Sequence, residues 1–484
     1  MTSLLYQNTL ARAVEQNIPD QLRFKTMKNE DVIVSRSKWK VQPSSSATEY
    51  GSGVGANANI QKLLQFKIVS DKWLDPQSLR LTGTVRTGGT GIVTTDIFTV
   101  SAGKSYLYPN GDGVDSLFKN VRTDLASREF ENIDNYNVLF PNLLTVASCP
   151  KDYYNSSCTV SGYWKYLEKS PVNMQNVVIA PATDSVLGAA PAASVVAAMA
   201  NGNRANTFNS RLYITQMYDD GFDFSVPLHL GLFRTGTFLA PRMPIEIQIT
   251  MEDVGIAFTK VGAATDTFYK IINPVILVDQ VEVHSDYMQK YNEVIASSGL
   301  SLECDVYTCV SNTVPNSNNA YFNINRGISR LRSIYSVMLD PTAGASKLSR
   351  FISNNFQSIK HTINGVSYPS SDGIVGYSQA WDALQQSLNQ LNDYNSSTLL
   401  DYNKYTGKNY GWLQNNTDEN AFVVGLDFQR SDSRASGVDT AVQGGVIKVE
   451  MTASPAMPTA TTMLSFIHFD RQLKIKNDGI MLFE

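Results

Sequence analysis

Ile245-Glu-Ile-Gln-Ile-Thr-Met251 carries an apolar residue at every odd position and a polar one between each pair. In an extended chain successive side chains point to opposite faces, so this run buries one face and turns the other to water or a partner. The same alternation recurs at Gln65 to Val69, Leu79 to Val85, Ile276 to Val283, Leu302 to Val310, Tyr321 to Ile324, Leu331 to Leu339, Ile447 to Met451 and Leu464 to Ile475. Gly, Pro, Asn, Asp and Ser bound most of these runs, which is how strands read when short turns separate them. Period two is therefore the dominant signal, at least a dozen strands are expected, and the fold class is all-β.

The clearest turn is Asn364-Gly365, because both residues tolerate the positive φ of a tight type I′ hairpin. Its arms are Ser358 to Ile363 and Val366 to Tyr368, and Pro369 ends the second because it cannot donate to a ladder. Two segments have helical spacing instead. In Ser285 to Gly299 the apolar residues 287, 291, 294 and 295 share a face, with Ser285 as N-cap and Gly299 as stop. Between Tyr377 and Leu391 the stripe Tyr377, Trp381, Leu384, Leu388, Leu391 needs a partner surface. Strand patterns lie on both sides of the Ser285 helix, which marks a domain junction. The expected organisation is an N-terminal arm 1–56, a first domain 57–284, a connecting helix 285–299 and a second domain 300–484.

With 484 residues the chain can build two domains, each with its own core. Apolar residues make up 43% and charged residues only 17%, so much of the polar surface is uncharged Tyr, Asn, Ser and Thr. A net charge of −4 and a pI near 5.7 supply no basic field for gripping nucleic acid, and direct genome binding is not expected. Met1 to Asp20 has no basic segment followed by an apolar run, so no secretory signal is read. Ile179 to Ala200 is interrupted by Pro181, Asp184 and Pro191, so it is not a spanning helix and a soluble chain is expected. Ser/Gly/Ala-rich Pro43 to Asn59, Gly/Thr-rich Thr87 to Thr95 and Ala-rich Pro181 to Asn206 read as surface loops or arms.

Chemistry is sparse. His229, His284, His361 and His468 are scattered, and none has a second His or a Cys at ligand spacing. Cys304 and Cys309, five apart on one strand, point to opposite faces and can neither bridge nor chelate together. Structural disulfides are not expected from these two with Cys149 and Cys158. Gly51-Ser-Gly-Val-Gly55 lacks the strand, helix and acidic residue of a dinucleotide loop and reads as a flexible loop. Asp71 with Asp75, and Asp112 with Asp115, are too few for a hard-cation loop and read as turn and capping residues. Asn155, Asn395 and Asn415 begin glycosylation-type sequons, which carry little weight without a secretory signal. No catalytic, cofactor-binding or metal residue is assigned, and no enzyme activity is expected.

Four places carry a family resemblance. They are Leu64 to Leu81, containing Ser70-Asp-Lys-Trp-Leu-Asp-Pro-Gln-Ser-Leu79; Pro109-Asn-Gly-Asp-Gly-Val-Asp-Ser-Leu-Phe-Lys-Asn-Val-Arg122 with Glu129-Phe-Glu-Asn-Ile-Asp-Asn-Tyr136; Val226-Pro-Leu-His-Leu-Gly-Leu-Phe233 leading to Leu239-Ala-Pro-Arg-Met-Pro-Ile-Glu-Ile247; and Asn364-Gly-Val-Ser-Tyr-Pro369 with Ser436-Gly-Val-Asp-Thr440 and Phe469-Asp-Arg-Gln-Leu-Lys-Ile475. In order and spacing the chain resembles the double jelly-roll major capsid proteins of adenoviruses, virophages, polinton-like viruses and tailless phages. The first place looks like the opening strand pair of the first roll, the second like a strand and its following turn, the third like the short apolar segment before a strand late in the first roll, and the fourth like landmarks of the second roll. The resemblance is weak before residue 60 and across 180–206, so those regions inherit nothing from it.

The resemblance implies two tandem eight-stranded jelly-roll β-sandwiches with a few short helices. It also implies a structural protein of a virion shell, made inside the host cell. The implied partners are two further copies in a homotrimeric capsomer, neighbouring capsomers, and penton and minor capsid proteins, with no cofactor. Two other readings share the strand density: a carbohydrate-binding or carbohydrate-active β-sandwich, and a phage tail or fibre subunit. The first lacks a recognisable carboxylate pair and the second lacks repeats.

Overall fold

The computed structural model describes residues 33–91, 106–109, 113–150, 222–261, 264–297, 299–339, 348, 351–390, 398, 400, 402–406, 421–429, 437–441, 445–457, 460–476 and 479–483. The expected loop 181–206, the signal-free segment 1–20, Cys158 and the three sequon asparagines lie outside them.

Four larger sheets form two stacked pairs. The first sheet runs β1 (Ile33–Val41), β11 (Thr265–Val283), β4 (Trp73–Thr90), β8 (Phe222–Pro227), with β2 (Glu49–Gly53) also paired to β11. Opposite it lie β3 (Leu63–Ile68), β9 (Ile245–Met251), β6 (Phe118–Leu125) and β7 (Arg128–Asp134), in that order. A small ribbon joins β5 (Tyr106–Pro109) to β10 (Phe258–Val261). The third sheet runs β12 (Leu300–Val314), β20 (Thr461–Lys476), β14 (Leu331–Leu339), β18 (Val423–Asp427), with β21 (Gly479–Phe483) on β20. The fourth runs β13 (Asn319–Asn325), β19 (Val446–Ala453), β15 (Phe356–Ile363), β16 (Val366–Tyr368), with β17 (Ile374–Val375) on β15.

Set aside the accessory strands, and number the remaining eight of each half along the chain. Both halves then have sheets in the order first, eighth, third, sixth and second, seventh, fourth, fifth. That order is the jelly roll, and it occurs twice in tandem. The first strand cannot pair until the eighth has been made, so each sandwich closes on its most distant segments.

β9 shows why the residues fold this way. Ile245, Ile247, Ile249 and Met251 are buried while Glu246, Gln248 and Thr250 remain half-exposed. β9 pairs Phe66 to Ile247 on one side and Val121 to Ile249 on the other, so its apolar face joins Leu64, Phe66, Ile68, Val121 and Leu125. Burying each such side chain is worth about 1.5–3 kcal/mol. Every alternating run quoted above falls within a strand, usually extended by a few residues at the ends, except that Val69 lies one residue past the end of β3.

Three expectations about strands are corrected. The arm does not extend to 56, because β1 pairs with β11 from Arg36 opposite Val281 to Val41 opposite Ile276 and turns Trp39 and Val41 inward. β1 is therefore the opening strand of the first roll, and Leu64 to Leu81 supplies its second and third strands. The Gly51 to Gly55 segment is no loop as far as Gly53: β2 lies so close to β11 that a Cβ on Gly51 would collide with the Tyr269 backbone oxygen. Glycine there serves a close strand approach. Thr87 to Thr90, also read as loop, continues β4 against β11.

The Asn364-Gly365 hairpin forms as expected, with φ of 53° and 78° and Ile363 opposite Val366. Helix α1 (Ser285–Ser297) ends before Gly299, whose φ is 74°. Its buried stripe is not 287, 291, 294, 295. Met288, Tyr291 and Ile295 pack on Trp73 and Val281, while Tyr287 and Val294 are exposed. Helix α2 (Gly376–Ser387) is shorter than expected, with Leu388 as C-cap. Ala380 and Leu384 are buried, Tyr377, Trp381 and Leu388 flank the core, and Gly425 of β18 allows the helix axis to approach.

Candidate functional site: the seam between the sandwiches

β7 is the edge of the second sheet and β12 the edge of the third, and the two edges lie side by side. An edge strand exposes unpaired N–H and C=O groups, a liability unless covered. Here one carboxylate does part of the covering. Glu131 on β7 is 2% exposed, and it accepts from the Tyr307 N–H of β12 at 2.9 Å and from the Gly231 N–H at 2.7 Å. Burial pushes its carboxyl up to about 7, and the two backbone donors with Arg234 and Arg471 keep it from rising further.

Gly231 begins the 3-10 turn Gly231–Arg234, which presses on β12 so closely that a Cβ would meet the Asp305 backbone oxygen. Just before the turn, the His229 N–H donates to the Tyr136 hydroxyl at 3.0 Å. Tyr136 opens a buried helical run, Tyr136–Val138, Leu139–Leu144 with π spacing, and Thr145–Ser148, which sequence periodicity did not reveal. Asn135, in the left-handed region at φ 55°, turns β7 into that run and donates to the Cys309 sulfur at 3.8 Å.

Four rings cross the seam in line. His229 stacks on Phe140 at 5.3 Å, Phe140 meets Tyr307 edge-on at 5.6 Å, and Tyr307 stacks on His468 at 4.5 Å. Such contacts contribute about 0.5–1.5 kcal/mol each beyond area burial. Burial lowers His229 to about 4 and His468 to about 3, so both are neutral near pH 7. Arg471 of β20 reaches back to donate to the Phe130 carbonyl, its guanidinium 5.9 Å from the Phe130 ring and 5.6 Å from Phe469.

Two smaller contacts flank the seam. Leu400 N–H donates to the Val146 carbonyl at 3.0 Å, and Tyr291 of α1 meets Trp73 at 4.5 Å in a cluster that includes Ile475.

The arrangement is mechanical in character. A cavity of about 300 Å³ opens beside it, bounded by Glu129, Asn132, Asp134, Thr308, Arg326 and Arg471. Glu129 is engaged by Arg122 and Asn132, and Asp134 by Asn120. Among the described residues no three His, Cys, Asp or Glu side chains gather as a metal site.

The seam collects three of the strings that carried the resemblance: Glu129 to Tyr136, Val226 to Phe233 and Phe469 to Ile475. It also unites His229 with His468, while His361 is buried inside the second sandwich and His284 lies half-exposed before α1. Asp71 faces Arg242 at 3.3 Å and Asp75 faces Arg36. Sequence reading missed Phe140, Arg234, Asp305 and Tyr307. For the last two a signal existed: in Leu302 to Val310 the odd positions 303, 305 and 307 hold Glu, Asp and Tyr, an unusual lining for a strand of this core.

No protein-family model matches the sequence, and no curated protein does. Solved structures do. The chain is similar to one from the cryo-EM structure of the Sputnik virophage, with 11% identity over 96% of this chain and 91% of that one and a TM-score of 0.54. It is also similar to the Faustovirus major capsid protein, with 10% identity over 97% of both chains and a TM-score of 0.52. At such identity the likeness is one of fold, and it agrees with the strand order: the chain is a double jelly roll.

Proposed function

We propose that this chain is a major capsid protein that assembles as a homotrimer and tiles the icosahedral shell of a double-stranded DNA virus. The observation that carries the reading is the pair of identically wound sandwiches clamped side by side through a buried seam. One chain then supplies two equivalent wall blocks in fixed relation, and three chains supply six, the geometry a pseudo-hexagonal tile requires. The domains in this reading are 33–284 and 300–484, joined by 285–299. Partners are two further copies, neighbouring capsomers, and penton and minor capsid proteins. Its place is the virion shell, filled after synthesis in the host cell. The role needs no catalysis, cofactor or direct grip on nucleic acid, consistent with the mildly acidic composition.

Light scattering on dilute purified protein tests the proposal. The expected mass is three times 53.4 kDa, with each interface burying well over ~2,000 Å² in the manner of obligate oligomers. Negative-stain images should show hexagonal particles. A folded monomer at high concentration that binds members of a glycan panel saturably would overturn the capsid reading in favour of a carbohydrate-binding sandwich.

A further inference from the structure

Asp305 on β12 and Asp470 on β20 stand directly opposite in the antiparallel register. Side chains so placed share one face with their Cβ atoms about 4.5–5.5 Å apart, and two like charges there repel. Asp470 is 3% exposed. Its Oδ1 accepts from Arg332 Nη1 at 3.2 Å, but its buried Oδ2 meets no donor. The same Arg332 Nη1 also serves Asp305 Oδ1. Nε and Nη2 of Arg332 are taken by the Gln429 amide oxygen at 2.6 and 2.7 Å, in the orientation that satisfies both ends of that amide. One guanidinium thus serves two carboxylates, and one carboxylate oxygen is orphaned.

The surrounding groups do not supply the missing donor. On β20, His468 engages Ser333 Oγ through Nδ1 at 3.1 Å and stacks on Tyr307. On β12, Glu303 is paired at 3.1 Å with Arg330, which immediately precedes β14. On β18, Asp427 is raised by burial, and from the first sandwich Arg234 faces Asp305 and Tyr307. A proton on Asp470 would turn the orphaned acceptor into a donor toward Asp305 and replace repulsion with a hydrogen bond.

We propose that Asp305 and Asp470 share a single proton, and that its release to solvent on the alkaline side loosens β12 from β20 at the seam between the sandwiches. Burial first, and then the Asp305 carboxyl, push Asp470 up to about 7, while Asp305 is lowered, as befits two acids holding one proton. The folded value lies above the ordinary aspartate value, so the stabilisation is complete in acid and is lost as pH rises through about 7. β12 is the strand that Glu131 and Gly231 grip, so the loss is felt where the sandwiches join.

Infrared difference spectra of the whole protein between about pH 6 and about pH 8 test this, a window that spans the shared proton. A protonated-carboxyl band should vanish on going up in wild type. It should persist in E131Q, which removes the other acid raised to about 7, be missing from the double variant E131Q/D470N, and move in frequency in E131Q/D305N, where the proton's acceptor changes from carboxylate to amide. Hydrogen exchange in peptides covering Leu300–Val314, corrected for intrinsic rates, should rise by up to about tenfold per pH unit in E131Q and stay flat in E131Q/D470N. A band absent from E131Q, or retained in E131Q/D470N, overturns the proposal. Should E131Q/D470N fail to fold, the E131Q and E131Q/D305N spectra decide it: a band missing from the first, or unmoved in the second, overturns the proposal.

Discussion

Both sandwiches place one arginine against two aspartates that face each other in register. In the first, Arg36 of β1 spans Asp75 on β4 and Asp279 on β11. In the second, Arg332 of β14 spans Asp305 on β12 and Asp470 on β20. The chemistry is the same but the settings differ: the Arg36 side chain is 49% exposed, whereas Arg332 is 14% and Asp470 only 2% exposed. The first trio opens to solvent through Arg36, although Asp75 and Asp279 are themselves only 14% and 16% exposed, so its charges are partly screened. At the seam the second aspartate is buried away from bulk solvent, so the spare charge must be neutralised or endured. Jelly-roll strand order brings such trios together, but the neighbouring sandwich decides what they do.

The sharpest break in that comparison is Arg332→Ala, which takes from buried Asp470 and half-buried Asp305 the cation they share. It should cost about 4 kcal/mol in denaturant unfolding, as broken buried pairs do. Loss of less than a quarter of that would mean the trio is solvated after all. Leu384→Ala on α2 should come next, at about 3 kcal/mol, since the side chain is fully buried against β18 and leaves a cavity. Differential scanning calorimetry should place the loss in the transition that also responds to Arg332.

A smaller effect is expected from His361, whose two ring nitrogens are buried without partners and whose pKa is lowered to about 4 by burial. Between the ordinary histidine value and about 4, the unfolded chain binds a proton that the folded chain refuses. Stability from this site therefore falls as pH drops through that window. His361→Phe should raise stability by roughly 1–2 kcal/mol at about pH 5 and flatten the acid slope. An unchanged slope would assign it to His229 and His468 instead. Last, Arg36→Ala should leave the melting temperature unchanged within error. A clear drop would show that the exposed trio matters as much as the buried one and dissolve the contrast.

Much of this molecule was legible in the residues. Alternation in Ile245 to Met251 and its counterparts located the strands, because a sheet with one buried face admits only that pattern. Asn364-Gly365 identified its hairpin for a local reason, the positive φ at both positions. The Ser285 helix was visible with its end, but not with its buried face. Which stripe is covered depends on Trp73, whose indole N–H meets the Met288 sulfur at 3.0 Å from 215 positions away. β1 and β2 read as arm and loop because β1 is largely exposed and β2 consists mostly of small residues. Only β11, more than 200 positions downstream, supplies their ladders.

The sequence by itself determined the strands, their inward faces and the two-part plan, all of which rest on period and local backbone chemistry. The seam was decided by tertiary structure alone. Glu131, Gly231, Asp305, Tyr307 and Asp470 are ordinary residues in separate strands and turns until both rolls have closed. Their burial, and with it their altered acidity, is a property of desolvation by segments remote along the chain, which no local window of sequence contains.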